Sequence, residues 1–321
     1  MRIVVATPAA AWSRAGNRRT AQRYASFLRS AGHHVHVATE LNDAHCDLLI
    51  ALHARRSFAS IARYRAATPA GPLIVVLTGT DLYRDISTDA DAQASLEMAT
   101  LLIVLQERGM DELSAQLRRK TRVVYQSANV TGPATPPRRK FRIAVLGHLR
   151  EEKDPFRAAY AVQQLPEMPD LEVVHLGDAL SPAMGDEARR LGRSDRRYRW
   201  LGGLAHSRAL DWLRRSHVLV VSSRMEGGAN VICEAARIGV PVIASRIAGN
   251  IGMLGRGYPG TFALEDTHSL ARLIARAHED PEFYDRLQRA TTTRGRKFTP
   301  AAERRGVLSV AREAVRLARS A

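Results

Sequence analysis

Short apolar runs and amphipathic segments alternate along the chain almost from its first residue. Arg2 to Ala6, His34 to Ala38, Asp47 to Leu52, Pro72 to Leu77, Leu101 to Leu105 and Thr121 to Tyr125 are rich in Val, Ile and Leu, as strands buried on both faces are. Between them the pattern predicts helices over about Arg18 to Ala31, closed by Gly32, over Phe58 to Ala67, around Leu96 to Ala99, and over Met110 to Leu117. Such βα alternation implies a parallel sheet covered on both faces.

The pattern breaks at Val130-Thr131-Gly132-Pro133-Ala134-Thr135-Pro136-Pro137-Arg138-Arg139-Lys140, whose prolines and glycine continue neither a helix nor a central strand. A second α/β alternation follows. Its expected strands are Phe141 to Leu146, Leu171 to Leu176, Tyr198 to Leu201, His217 to Val221 and Pro241 to Ala244. Helices are expected from Pro155, over Ser207 to Arg215, over Asn230 to Ile238, and then over Thr267 to Glu279, Pro281 to Thr291 and Pro300 to Arg319. The reading is a first domain at 1–130, a linker at 131–140, a second domain at 141–296 and a closing segment at 297–321. A length of 321 residues agrees with two domains.

The net charge of +16 admits nucleic acid, anionic membranes or acidic small substrates as partners. Yet only four of the 48 basic residues are lysines (Lys120, Lys140, Lys153, Lys297), and the arginines are spread over every segment. A compositional bias explains this, and no basic stripe interleaved with aromatics points to nucleic acid. No apolar run reaches the length of a membrane span. The opening strand passes straight into Thr7 and Pro8, too soon for a signal peptide. Two cysteines, Cys46 and Cys233, form neither a disulfide framework nor a metal-ligand spacing, so a cytoplasmic setting is expected.

Candidate chemistry gathers where strands end. Ser222 to Ala235 reads as the end of a buried strand, a Gly227-Gly228 pair and a helix that Gly239 can stop. That helix is apolar nearly all round but carries Glu234, and a buried carboxylate needs partners. Amides around Ala229 to Val231 would face an anion at the helix start, with Glu226 just before it and Glu234 accepting from hydroxyls beside it. The same spacing suits a helix whose Glu234 pairs with an arginine. Gly147-His148-Leu149-Arg150-Glu151-Glu152-Lys153-Asp154 places Arg150 and Lys153 at another strand end, fit to clamp a diphosphate or to lie on a solvated face beside Glu151 and Glu152. Gly249 and Asn250 fall in a glycine-rich loop, Arg246 to Gly255, that suits close approach to a ligand or an ordinary irregular turn. In the first half, Thr7-Pro8 leads to Gly16-Asn17-Arg18-Arg19-Thr20, His53-Ala54-Arg55-Arg56-Ser57 follows the third strand, and Thr78-Gly79-Thr80-Asp81 the fourth. Each alone could be a cap or a turn; together they could converge on one anion pocket.

Gly147 to Lys153, Gly177-Asp178 and Glu226-x7-Glu234 followed by Ala235 to Ser245 resemble the donor domain of retaining GT-B glycosyltransferases of the GT4 type. The resemblance implies two Rossmann-like doubly wound parallel-sheet domains facing across a cleft, with the final helix crossing back to the first. It implies that Arg150 and Lys153 hold the donor diphosphate, that Glu234 binds ribose hydroxyls, that amides near Asn230 and Val231 meet the phosphates, and that Glu226 lies by the sugar. Thr7-Pro8-Ala9, Gly16-Asn17-Arg18-x-Thr20-Ala21, Ala51 to Ser57, Leu77 to Asp85, Gln126-Ser127 and Gly249 to Gly255 further resemble the selenosugar synthases of selenoneine biosynthesis. That family joins selenophosphate to the sugar of UDP-N-acetylglucosamine, giving a 1-seleno sugar, UDP and phosphate, and implies a selenophosphate synthetase and a selenoneine synthase as pathway neighbours. Thr7, Gly16, Asn17, Arg18, Thr20, His53, Arg55, Arg56 and Thr80 are then the acceptor candidates, and Arg150, Lys153 and Glu226 the catalytic ones. No cofactor or metal is expected, since no His/Asp cluster of ligand spacing occurs. The alternatives are a GT4-type enzyme glycosylating a hydroxyl of a lipid or small molecule, a sugar-nucleotide epimerase, and, on charge alone, a nucleic-acid-binding protein.

Overall fold

The computed structural model describes residues 1–8, 16–42, 45–130 and 132–320; Ala9, Thr131 and Ala321, named above, lie outside them. It divides into two compact units, one of Met1–Ser127 with Glu226–Gly228 and the chain from Pro300 on, the other of Ala128–Met225 with Ala229–Thr299.

The first unit is a parallel sheet of β1 (Arg2–Ala6), β2 (His34–Ala38), β3 (Leu48–Leu52), β4 (Leu73–Leu77), β5 (Leu101–Val104) and β6 (Thr121–Val123). Its spatial order is β2-β1-β3-β4-β5-β6. Helices α1 (Gly16–Arg29), α2 (Phe58–Ala67), α3 (Ile86–Thr88), α4 (Ala90–Met98) and α5 (Ala115–Arg119) connect the strands. Alternate strand residues feed two cores. Ile3, Ile50, Ile74 and Ile103 pack with Tyr24 and Leu28 of α1, whereas Leu49, Val75 and Leu102 pack with Ile61 and Tyr64 of α2.

The second unit repeats the plan with β7 (Phe141–Leu146), β8 (Leu171–Leu176), β9 (Tyr198–Trp200), β10 (Val218–Val221), β11 (Val242–Ser245) and β12 (Thr261–Phe262), in the order β12-β11-β10-β7-β8-β9. Its helices are α6 (Arg157–Gln163), α7 (Pro182–Ser194), α8 (His206–Arg214), α9 (Asn230–Ile238), α10 (Ala248–Leu254), α11 (Thr267–Glu279) and α12 (Pro281–Gly295). The closing helix α13 (Pro300–Ser320) belongs to the first unit, adding Val307, Val310, Ala311 and Ala314 to the core that holds Ile3 and Leu28. Its Glu303, 1% exposed, accepts from Arg23 Nε at 3.0 Å and from the Ser127 amide at 2.9 Å.

Several segments differ from the sequence expectation, among them α3 and β12, which it did not include. The helix expected over Met110 to Leu117 is instead a 3-10 turn, Glu107–Glu112, and the separate α5. Gln106 and Ser114 each accept a backbone N–H (Gly109, Leu117), so each starts its own segment, with Leu113 extended between them. The stretch Arg246 to Gly255 is not an irregular loop: Ala248–Leu254 is helical and ends where Gly255 takes φ +99°. Helix α7 had no expectation at all. Ser181 caps it and Pro182 opens it, but its buried stripe is only Gly185, Ala188 and Leu191, too faint against its charged residues.

Candidate functional site

Chain order reverses in the second sheet between β7 and β10, which pair in parallel through Val218↔Ile143 and Leu219↔Ala144. Loops leaving such a switch point on the carboxyl side form the ligand crevice of open α/β sheets. Here the two loops are tied together. Ser222 Oγ donates to the carbonyls of Lys153 (3.2 Å) and Asp154 (2.8 Å), and the Arg224 amide donates to Glu152 O (2.9 Å). The adjoining β11 joins in through Ser245 Oγ, which donates to Ser223 O at 2.5 Å.

Arg150 is exposed at the start of the short turn Glu151–Lys153, and among the described residues its guanidinium has no hydrogen-bond or ion-pair partner. Lys153 runs its stem past Gly147, where an added Cβ would lie 3.9 Å from Lys153 Cγ and Cδ. The two cations named from the sequence thus share one loop, whereas Arg224 is paired with Glu265 at 2.8 Å.

The Gly147 turn is held from beneath by residues the sequence reading left unassigned. His175 is 1% exposed, with Nε2 3.3 Å from Gly147 O and Nδ1 3.0 Å from the Tyr198 hydroxyl. A carbonyl only accepts, so Nε2 carries the proton and Nδ1 accepts from Tyr198. Burial pushes the His175 imidazole down to about 4, against the hydrogen bond to Gly147, which acts the other way. Gly177 is required beside it: a Cβ there would sit 1.9 Å from Gly147 O. Asp178 donates its amide to His148 Nδ1 at 3.1 Å, closing the turn from the β8 side.

Glu234 lies in the second turn of α9, 6% exposed, with Oε1 2.7 Å from Nε2 of His206, the first residue of α8. One partner of this carboxylate is therefore a histidine. No side chain caps α9 at Ala229; Asn230 and Val231 form its half-buried first turn. Gly249 and Asn250 are buried in α10. Asn250 Nδ2 donates to Ser245 O (3.1 Å) and Oγ (3.0 Å), bracing the β11 loop that braces Ser223. Glu226, Gly227 and Gly228 group with the first unit, where a Cβ on Gly227 would meet Thr78 O at 2.2 Å and one on Gly228 would meet Leu105 Cβ at 2.7 Å.

The first sheet reverses between β1 and β3, so Thr7 and His53 flank its switch point. Thr7 is fully buried and its hydroxyl has no partner among the described residues. His53, at φ +73°, has a left-handed backbone rare for a bulky residue. Its Nδ1 accepts from the Arg56 amide (3.3 Å) and its Nε2 meets Thr80 Oγ1 (2.9 Å), which fixes the Nε2–H tautomer. Burial holds its pKa below the usual value, outweighing the pull of Asp81. Asp81 is spent on the amides of Ala54, Thr78 and Gly79, and Asp85 on Arg55 and Arg84. Gly16, Asn17 and Arg18 open α1, and Thr20 donates to Gly16 O (3.0 Å) while accepting from Gln126 Nε2 (2.6 Å). His53, Arg55, Arg56 and Thr80 thus form one cluster, while Thr20 and Gln126 form another.

A cavity of about 670 Å³ in this unit runs along β2 instead, past His34, His36 and Arg29, and none of the acceptor candidates lines it. Among the described residues no group of His, Cys, Asp and Glu is placed to hold a metal, and no helix is long and apolar enough to cross a membrane.

Two Rossmann-like parallel-sheet domains, each with polar loops at its switch point, define the architecture of a GT-B glycosyltransferase. The profile of the family described as Glycosyl transferases group 1 matches residues 133–294, just over half of the chain, and the protein belongs to that family. HepE of Anabaena, solved with UDP and glucose, superposes with a TM-score of 0.76 at 17% identity, over 98% of this chain and 100% of that one. Sucrose-phosphate synthase of Thermosynechococcus elongatus gives 0.76 at 18% identity, over 97% and 98%. A glycosyltransferase of Rickettsia africae gives 0.75 at 14%, over 98% of each. At these identities the similarity is one of fold.

Proposed function

We propose that the protein transfers a hexose from a UDP-sugar, holding the nucleotide at the switch point of the second unit. The observation that carries this is the pair of tied loops after β7 and β10. They set Arg150, exposed and without a partner among the described residues, together with Lys153 at the strand end neighbouring the one that leads to α9 and its buried Glu234. In that site Arg150, Lys153 and the first amides of α9 stabilise charge on the departing diphosphate, and Glu234 accepts from ribose hydroxyls. No metal enters the proposal. HepE was solved with UDP-glucose as well as with UDP, which supports a uridine nucleotide.

For the acceptor, a hydroxyl compound is the reading nearest to the wider family. One observation favours selenophosphate. His53 has both ring nitrogens engaged, and Asp81 and Asp85 are committed to amides and arginines, so this cluster offers no ready base for a hydroxyl. Selenophosphate arrives ionised and needs none. Its selenium would form the bond to C1 of N-acetylglucosamine as the C1–O bond breaks and UDP leaves with the electron pair. Water then cleaves Se–P to give phosphate and the 1-seleno sugar.

The test is mass spectrometry of reactions containing UDP-N-acetylglucosamine and either freshly generated selenophosphate or a panel of hydroxyl acceptors. A selenium-bearing hexosamine formed with UDP supports the selenium reading. Glycosylated hydroxyls with no selenium product refute it and keep the UDP-sugar reading. Failure to bind any UDP-sugar refutes both.

A further inference from the structure

We propose that His206 is a positioning residue for ribose recognition: its Nε2–H fixes the Glu234 carboxylate in the orientation that receives the hydroxyls of a ribonucleoside diphosphate. The inference rests on the donor-site reading above and extends it to a residue on another helix.

A glutamate side chain has three rotatable bonds, and holding it still costs rotamer entropy worth about tenfold or more in affinity. A ligand that must itself order the carboxylate binds more weakly by a corresponding amount. His206 Nε2 lies 2.7 Å from Glu234 Oε1, a charge-assisted distance, so the carboxylate is oriented before any ligand arrives. The two residues come from α8 and α9, and the imidazole remains 44% exposed while the Glu234 side chain is only 7% exposed. His206 therefore covers Glu234 from the solvent side. It is poorly placed to hold α8 itself, whose buried anchor is Leu213. A carboxylate oxygen only accepts, so Nε2 carries a proton whether the ring is neutral or charged, and the contact persists in both states.

The experiment is calorimetric. UDP, ADP, GDP and CDP are titrated into the full-length protein. The tightest of them and its 2′,3′-dideoxy counterpart are then titrated into wild type, His206→Ala, His206→Gln and Glu234→Gln. Wild type is expected to prefer the ribonucleotide by about a hundredfold or more, for two hydrogen bonds to a charged acceptor. His206→Ala should weaken the ribonucleotide about tenfold while the dideoxy form stays within about twofold, and His206→Gln, which keeps an N–H donor, should restore part of the preference. Equal weakening of both nucleotides would show a merely structural role and overturn the proposal, as would an unchanged preference. If no nucleoside diphosphate binds wild type, the donor-site reading and this inference fall together; if one binds and the preference survives in His206→Ala, only the inference falls.

Discussion

Acidification should loosen the second unit through His175. The imidazole is neutral in the fold, depressed to about 4 from its ordinary value because burial penalises its charged form. In the unfolded chain it takes a proton near pH 6.5, so between that pH and about 4 the unfolded state binds more protons than the native one. Stability from this group is thus complete above pH 6.5 and falls as the pH drops through the window. From pH 7.5 to 5.0 the linkage amounts to about 2 kcal/mol. The assay is urea unfolding of wild type and His175→Gln, followed by the fluorescence of Trp200 and Trp212 at each pH. Glutamine does not titrate, so the stability gap between the two proteins should shrink by about 2 kcal/mol on going to pH 5.0. Half-buried His217, also held down to about 4, titrates equally in both and cancels. A gap that is flat with pH would refute the assignment of a neutral, solvent-excluded His175, and with it the account of how Gly147 O is held.

Gly177→Ala places a methyl 1.9 Å from Gly147 O, so the turn must move; donor affinity should fall at least tenfold, measured by nucleotide titration, with about 1–3 kcal/mol lost in unfolding. Arg150→Ala and Lys153→Ala should each lower turnover with a UDP-sugar by about tenfold to a hundredfold in steady-state assays, and unchanged turnover in both would sink the phosphate-clamp role. Glu303→Ala strands the Arg23 guanidinium and the buried Ser127 amide, and should cost about 3 kcal/mol in denaturant melts. Glu303→Gln keeps an acceptor and should cost less.

The sheets were legible because their strands are uniform apolar runs: Leu73–Leu77 and Leu171–Leu176 are buried at every position, so no alternation was needed to find them. Helix α9 was legible to the residue, since Gly239 stops it in the left-handed conformation a glycine adopts freely. Arg150 and Lys153 could be named because loops at parallel strand ends gather on one side. Asn250 shows what glycine-rich surroundings leave unsaid: its Nδ2 braces the Ser245 end of β11. His175 and His206 were not singled out. Each acts through a partner 28 residues away in sequence, Gly147 and Glu234, and no local spacing encodes such a pairing.

The first unit also has an order of manufacture written into it. All of its strands precede residues 128–299, while α13, which supplies Val307, Val310, Ala311 and Ala314 to its core, follows them. At ribosomal speeds that interval is on the order of ten to thirty seconds. Throughout it that core lacks the four apolar side chains of α13, and Arg23 lacks the Glu303 carboxylate. The second unit, nearly contiguous in sequence, has all its residues synthesised first, and the half of the molecule whose translation begins earliest is the last to be complete.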